Sequence, residues 1–278
     1  MPAMIESLFF GLLTGFALGL TGGGGSVFAV PLLVYGLGIP LHEAVVISLA
    51  AVGATALGGG LARLRDGQAE PYTATLFGLS GIIGAPLGAW LHPRFPEAVL
   101  LAAFALLMLV VATRMWRQAS RQPEETRLIR ASCDLDHNVA APACRYDASG
   151  RLQLSSRCAL RLILTGALTG LLSGLFGVGG GFLIVPALVM IASLPMRRAV
   201  ATSLWVIVLI SAIGFASHLV AGQVLNLRVT LGFVLGGLAG MAIGIGLGRR
   251  IAGPMLQKLF SVMITAVAVF TLVRLMTA

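Results

Sequence analysis

Two short stretches hold the residues of this chain best suited to chemistry: TGGGGS at Thr21–Ser26 and GVGGG at Gly177–Gly181. Successive glycines expose backbone N–H groups, turn tightly and let a ligand reach the main chain unhindered by side chains. Where such a stretch opens a helix, its first N–H groups lack partners within the helix, and that end carries roughly half a positive charge. An anion suits that arrangement. The candidate donors are the N–H groups of Gly22, Gly24, Gly25 and Ser26, and of Gly177, Gly179, Gly180 and Gly181. Hydroxyls of Thr21, Ser26, Ser48, Thr202 and Ser203 are of the right type to complete a shell around an oxyanion. Two blander readings compete. Small residues permit close helix packing, and Ser or Thr in a span often bonds to its own helix. Packing is the preferred reading for Gly15, Gly19, Gly170, Gly174, Gly236, Gly237 and Gly240.

Other chemistries find little support. Neither glycine stretch carries the lysine of a phosphate-binding loop, and the sequence has no H-E-x-x-H, no G-x-S-x-G and no paired carboxylates inside an apolar run. Cys133, His137 and Cys144 are metal-ligand types, but their spacing matches no common zinc pattern. No cofactor, metal or enzymatic activity is therefore expected. Arg63 and His218 occupy equivalent helix-end positions; they read as snorkelling anchors, or as gating or proton-relay residues. Glu43 reads as an exposed loop carboxylate, Trp90 and Trp205 as packing or interface residues, and Pro31 and Pro186 as kinks in the helices that follow the glycines.

These residues must be positioned by membrane helices. The chain is 58% hydrophobic and only 10% charged, with a mean hydropathy of +0.97. Apolar runs at 41–62, 72–91, 97–113, 199–220, 229–248 and 254–273 each approach the roughly 20 residues that cross a bilayer core. A soluble core helix would keep a polar stripe; these runs have almost none. The net charge of +9 is scattered over loops, which excludes a nucleic-acid surface and points to topology instead. The start, MPAMIESLFFGLLTG, has neither a basic opening nor an A-x-A-like site, so no cleaved signal peptide is expected.

The sequence repeats itself with residue n matching n+155, as in Gly15/Gly170, Gly22/Gly177, Gly25/Gly180, Pro31/Pro186, Pro40/Pro195 and Ser48/Ser203. Residues 1–116 form a first membrane repeat and 158–278 a second, joined by a polar linker at 117–157 in which DASG at 147–150 permits a small hairpin. Apolar pieces 7–20 and 26–37 around the first glycines are each too short to cross alone. Each is half of a broken helix that either crosses or enters and returns. The positive-inside rule arbitrates. Full crossing places the 19 basic residues 13 inside to 6 outside; a re-entrant hairpin, which inverts the second half, gives 16 to 3. The expected fold is all-α and polytopic, two inverted repeats of a glycine-broken re-entrant hairpin plus three spans. Such repeats recur in secondary transporters, with the ligand site where they meet.

The paired GGGGS…VP and GVGGGFLIVP segments, followed by AVVIS and AVATS, resemble the sulfite exporter TauE/SafE family of bacterial permeases over nearly the whole chain outside 117–157. The resemblance implies a multi-pass protein of the bacterial inner membrane, with seven or eight spans, and the positive-inside rule makes the 117–157 linker cytoplasmic. It also implies transport of small sulfur-containing anions such as sulfite or sulfonates by alternating access. The implied partners are that substrate and the lipid bilayer. An anion channel, or a carrier of another oxyanion, is the alternative. The sequence leaves the particular anion, the direction, the coupling ion and any homo-oligomer open.

Overall fold

The computed structural model describes residues 2–66, 70–91, 94–121, 145–146, 152–153, 156–176, 181–190, 194–220, 226–251 and 253–277. The first part of the chain forms α1 (Pro2–Thr21), α2 (Gly24–Pro31), a π turn (Leu32–Gly36), α3 (Leu41–Arg65), α4 (Pro71–Leu91) and α5 (Glu97–Arg121). Two-residue strands β1 (Arg145–Tyr146) and β2 (Leu152–Gln153) pair antiparallel, Arg145 opposite Gln153, where the turn chemistry of DASG permits a hairpin. Then follow α6 (Ser156–Phe176), α7 (Gly181–Met190), α8 (Met196–Val220), α9 (Leu227–Arg250) and α10 (Gly253–Thr277). Seven helices, α1, α3, α5, α6, α8, α9 and α10, are long and apolar enough to cross a membrane, and α4 matches them in length at 21 residues. Their outward faces are apolar, with Ile83, Leu106, Leu235 and Phe270 each more than half exposed. Such a surface is a liability in water. Against hydrocarbon it is the ordinary solvent contact.

Helices related by the sequence offset match in extent. α3 begins at 41 and ends at 65; α8 begins at 196 and ends at 220, a shift of 155 at both ends. The two run antiparallel: Gly53 lies against Ser211, Gly60 against Trp205 and Gly214 against Leu49. α1 packs along α9, and α6, which corresponds to α1, packs along α4, which corresponds to α9. α5 packs on α10.

Glycines make the two longest interfaces. Gly11, Gly15 and Gly19 of α1 meet the backbone of Phe233, Gly237 and Met241, while Gly236, Gly240 and Gly244 of α9 meet Leu8, Leu12 and Phe16 in return. Between α4 and α6 the same fit joins Gly81 to Gly170 and Gly84 to Ala167. With no hydrophobic drive between helices in lipid, this close approach is what van der Waals packing requires. The packing reading of Gly15, Gly19, Gly170, Gly236, Gly237 and Gly240 is what the interfaces show.

The broken segment doubles back. Gly25 lies against Thr14 and Leu18, and Gly36 against the Phe10 ring, so later residues of the second limb face earlier residues of α1. Pro31 lacks the N–H that would continue the helix ladder, and α2 gives way there to the π turn. In the other half, α7 is almost wholly buried, with Phe182, Leu183, Ile184, Val185 and Leu188 inside the bundle.

A Cβ at Gly15 would overlap the Gly237 carbonyl, whereas one at Gly246 meets nothing within 4 Å. Gly15→Val is therefore expected to lower the detergent melting temperature by several degrees or prevent folding, given about 1–3 kcal/mol for overpacking. Gly246→Ala is expected to be neutral or to stabilise by up to about 1 kcal/mol.

Candidate functional site

The two glycine breaks meet. Gly23, the N-cap of α2, lies directly against the Gly181 carbonyl and Phe182 Cα at the start of α7, and Gly181 in turn faces Ser26 Oγ. Two short helices thus abut at their N-termini. Gly22 reaches the turn with φ of +73°, a left-handed conformation that a side chain would strain. Its N–H donates to Leu18 O at 2.7 Å. As N-cap, Gly23 has no side chain to accept from the first N–H groups of α2, and no side-chain cap is present. The Ser26 N–H and hydroxyl both turn to Gly23 O, at 3.3 and 2.7 Å. Each helix start carries roughly half a positive charge, so two in contact repel. A bound anion would convert that repulsion into attraction.

α8 closes the site from one side. The buried Ser203 hydroxyl lies 2.7 Å from Gly22 O and 2.9 Å from Val200 O, so its single proton ties the first break to α8 or returns to its own helix. Thr202, also fully buried, accepts the backbone N–H of Glu70 at 3.4 Å. Ser48 and Thr21 donate to their own helices, Ser48 to Val45 O at 2.8 Å and Thr21 to Ala17 O at 2.6 Å. Gly22, Ser26, Gly181 and Ser203 are thus brought together, with Gly25 packed behind them on α1 and Gly24 opening α2. Gly177, Gly179 and Gly180 lie outside the described residues, as does the His218 side chain.

Arg63 does not snorkel. It is 5% exposed, and its Nη2 donates to Gly19 O at 2.9 Å, near the end of α1 where helix carbonyls lack partners. Among the described residues, its Nε has no partner. Glu43 is likewise not an exposed loop residue: it sits half-buried in the first turn of α3, where an acid favours the helix N-terminus. The Trp205 ring packs on Gly60, and exposed Trp90 stacks under the Arg94 guanidinium at 3.4 Å.

An ionic mouth that sequence reasoning missed adjoins the site. The end of α3, the start of α4, the start of α8 and the end of α9 bring together Arg63, Asp66, Glu70, Arg197, Arg198 and Arg249. Asp66 pairs with Arg249, Arg197 donates to the carbonyls of Arg249 and Ile251 at 3.1 and 2.9 Å, and Arg198 lies 3.4 Å from Glu70. Burial raises the Glu70 pKa, opposed by the Thr73 hydroxyl and the Arg198 charge. The usable signal was Glu70 itself, an acid one residue before a helix-opening proline in a chain with few acids.

A Cβ at Gly23 would overlap Gly181 O, while Gly38 has φ of +66° but open space around it. Gly23→Ala is expected to part the helix tips and abolish anion binding, and Gly38→Ala to cost about 1 kcal/mol in stability with binding intact. Binding by thermal shift and by isotope retention on purified protein checks both.

Comparison with known proteins places these features in context. A family model described as sulfite exporter TauE/SafE matches residues 7–271. A probable membrane transporter protein of the Temecula1 strain of Xylella fastidiosa is 32% identical over 98% of this chain and 96% of its own length. The probable membrane transporter protein YunE of Bacillus subtilis is 26% identical over 86% of each chain. No solved structure matches.

Proposed function

The chain belongs to the sulfite exporter TauE/SafE family, and from that premise we propose that this membrane transporter carries small sulfur-containing anions such as sulfite or sulfonates. The observation that carries the reading is the contact of Gly23 with Gly181. A sulfite or sulfonate head offers three acceptor oxygens, and the N-terminal N–H groups of α2 and α7 offer donors from two directions without a buried lysine. Ser26 and Ser203 flank the junction with hydroxyls. The anion is held where the two halves meet, and alternating access follows from one half rocking against the other around it.

The membrane arrangement follows the same reading. Antiparallel α3 and α8, the return of α2 along α1, and the common mouth of Arg63, Arg197, Arg198 and Arg249 support inverted repeats with re-entrant hairpins. That mouth, with Arg114, Arg117 and the 117–157 linker, is the cytoplasmic face of a bacterial inner-membrane protein by the positive-inside rule.

One preparation of purified protein and proteoliposomes tests this. Sulfite, thiosulfate, sulfoacetate or toluenesulfonate is expected to raise the melting temperature, by the equivalent of about 2.7 kcal/mol at a hundredfold excess over Kd, with sulfate weaker. Uptake of the stabilising anion is expected to saturate. A response only to cations or uncharged solutes overturns the anion reading, and non-saturating flux would mark a channel. In a variant lacking Cys133, Cys144 and Cys158, cysteines at positions 65 and 250 are expected to react with an impermeant maleimide from the same face. Reaction from opposite faces refutes the inverted arrangement.

A further inference from the structure

We propose that Arg63 and Trp205 complete the anion site, the Arg63 Nε–H and the Trp205 Nε1–H donating to oxygens of the bound sulfite or sulfonate. The assignment rests on the anion-carrier reading above and adds a formal positive charge to the helix tips. Among the described residues, these two N–H groups are the buried side-chain donors that lack a hydrogen-bond partner. Buried polar groups are almost always paired, so each orphan calls for an explanation. Guanidinium and indole N–H groups give protons and accept none. What both lack is an acceptor, which is what an oxyanion supplies.

The two stand close together at the level of the first break. Trp205 of α8 lies over Gly60 of α3, its Nε1 3.4 Å from where a Cβ on Gly60 would be. Arg63 follows Gly60 by three residues, so it leaves the same side of α3 one turn later. In an unbroken helix Gly19 O would accept the N–H of residue 23. Here it takes Arg63 Nη2 at 2.9 Å, which puts the guanidinium level with Gly23, the residue that meets Gly181. Two residues before Trp205, Ser203 reaches Gly22 O. Gly248 of α9 faces the guanidinium without a side chain, and a Cβ there would stand 3.8 Å from Nη2.

Structural roles use only part of each side chain. Capping α1 engages Nη2, a task that lysine could perform. Packing on Gly60 engages the indole ring, a task that phenylalanine could perform. Arg63 is 5% exposed, yet no carboxylate among the described residues pairs with it; Asp66 is held by Arg249 and Glu70 lies against Arg198. A buried cation without a counter-charge is costly, and a bound anion provides one. The sequence repeat also sets the pair apart. The residues offset by 155 from Gly60 and Trp205 are Phe215 and Ala50, so the indole and the gap that receives it occur in one arrangement only.

The test uses purified protein labelled with heavy nitrogen at its three tryptophans, the indole N–H resonance of Trp205 being identified by its loss in Trp205→Phe. It is titrated separately with methanesulfonate and sulfite, neither of which adds a ring current to the shifts, and isotope retention measures Kd. At saturation a retained anion is expected to move the Trp205 proton downfield while those of Trp90 and Trp116 hold still. Trp205→Phe is expected to weaken Kd about tenfold, the scale of one hydrogen bond to a charged group. Its unliganded melting temperature is expected to hold or rise, because an orphaned donor has been removed. A purely structural tryptophan would give the reverse, a lower melting temperature with Kd unchanged. Arg63→Lys keeps a charge and a donor for Gly19 O but loses the guanidinium fork, and is expected to weaken binding on the same scale. An unmoved Trp205 resonance at saturation, or a Trp205→Phe Kd equal to that of wild type, overturns the assignment and leaves the anion carrier standing. Retention of neither anion by wild type removes the anion-carrier reading, and this assignment with it. The wild-type resonance decides the matter even if Arg63→Lys does not fold.

Discussion

A helix that ends inside an apolar bundle leaves backbone groups that neither water nor lipid can satisfy, and this chain contains two such breaks. The first is met group by group at its carbonyl end. Arg63 takes Gly19 O, Leu18 O receives the Gly22 N–H, and Ser203 reaches Gly22 O from another helix. On the donor side the supply is deliberately thin, because glycine at the N-cap has no oxygen to give. On the proposed anion-site reading, the contrast explains why the breaks are built from glycine when Ser or Asp would cap a helix better. A helix whose N-terminus is already capped has less to offer a ligand.

The rest of the molecule serves that junction. Short helices can approach end to end only if the surrounding helices are close and rigid. The paired glycine seams of α1 on α9 and of α4 on α6 supply this, with backbones in contact along several turns. α8 touches both the first break, through Ser203, and the mouth, through Arg198 and Thr202. The electrostatics are graded along it, from mixed charges at the surface to hydroxyls and then to main-chain dipoles at the centre.

Much of this was legible in the sequence, for a physical reason. Composition sets the solvent, and in lipid every backbone bond must close locally, so long apolar runs read as helices with little ambiguity. Packing was the preferred reading for Gly15, Gly19, Gly236, Gly237 and Gly240, which the α1–α9 seam bears out, and alternation around DASG permitted the pairing of Arg145 with Gln153. The mouth was not legible. Asp66, Glu70, Arg197, Arg198 and Arg249 are separated by up to 183 residues, and each alone looks like an interfacial charge. The antiparallel crossing of α3 and α8, joined by the start of α4 and the end of α9, brings them together. Arg63 and Glu43 were misread for a related cause: position at a helix end says nothing of what packs over that end.

Two helix N-termini sharing one anion are tested most directly by seeing the anion there. Selenite, a heavier analogue of sulfite, gives an anomalous signal in crystals of the protein grown with it. One peak is expected between Gly23 and Gly181, about 3 Å from N–H groups of α2 and α7, lost in a Gly23→Ala crystal. A peak held elsewhere, or none at the junction when solution binding is saturated, would contradict it.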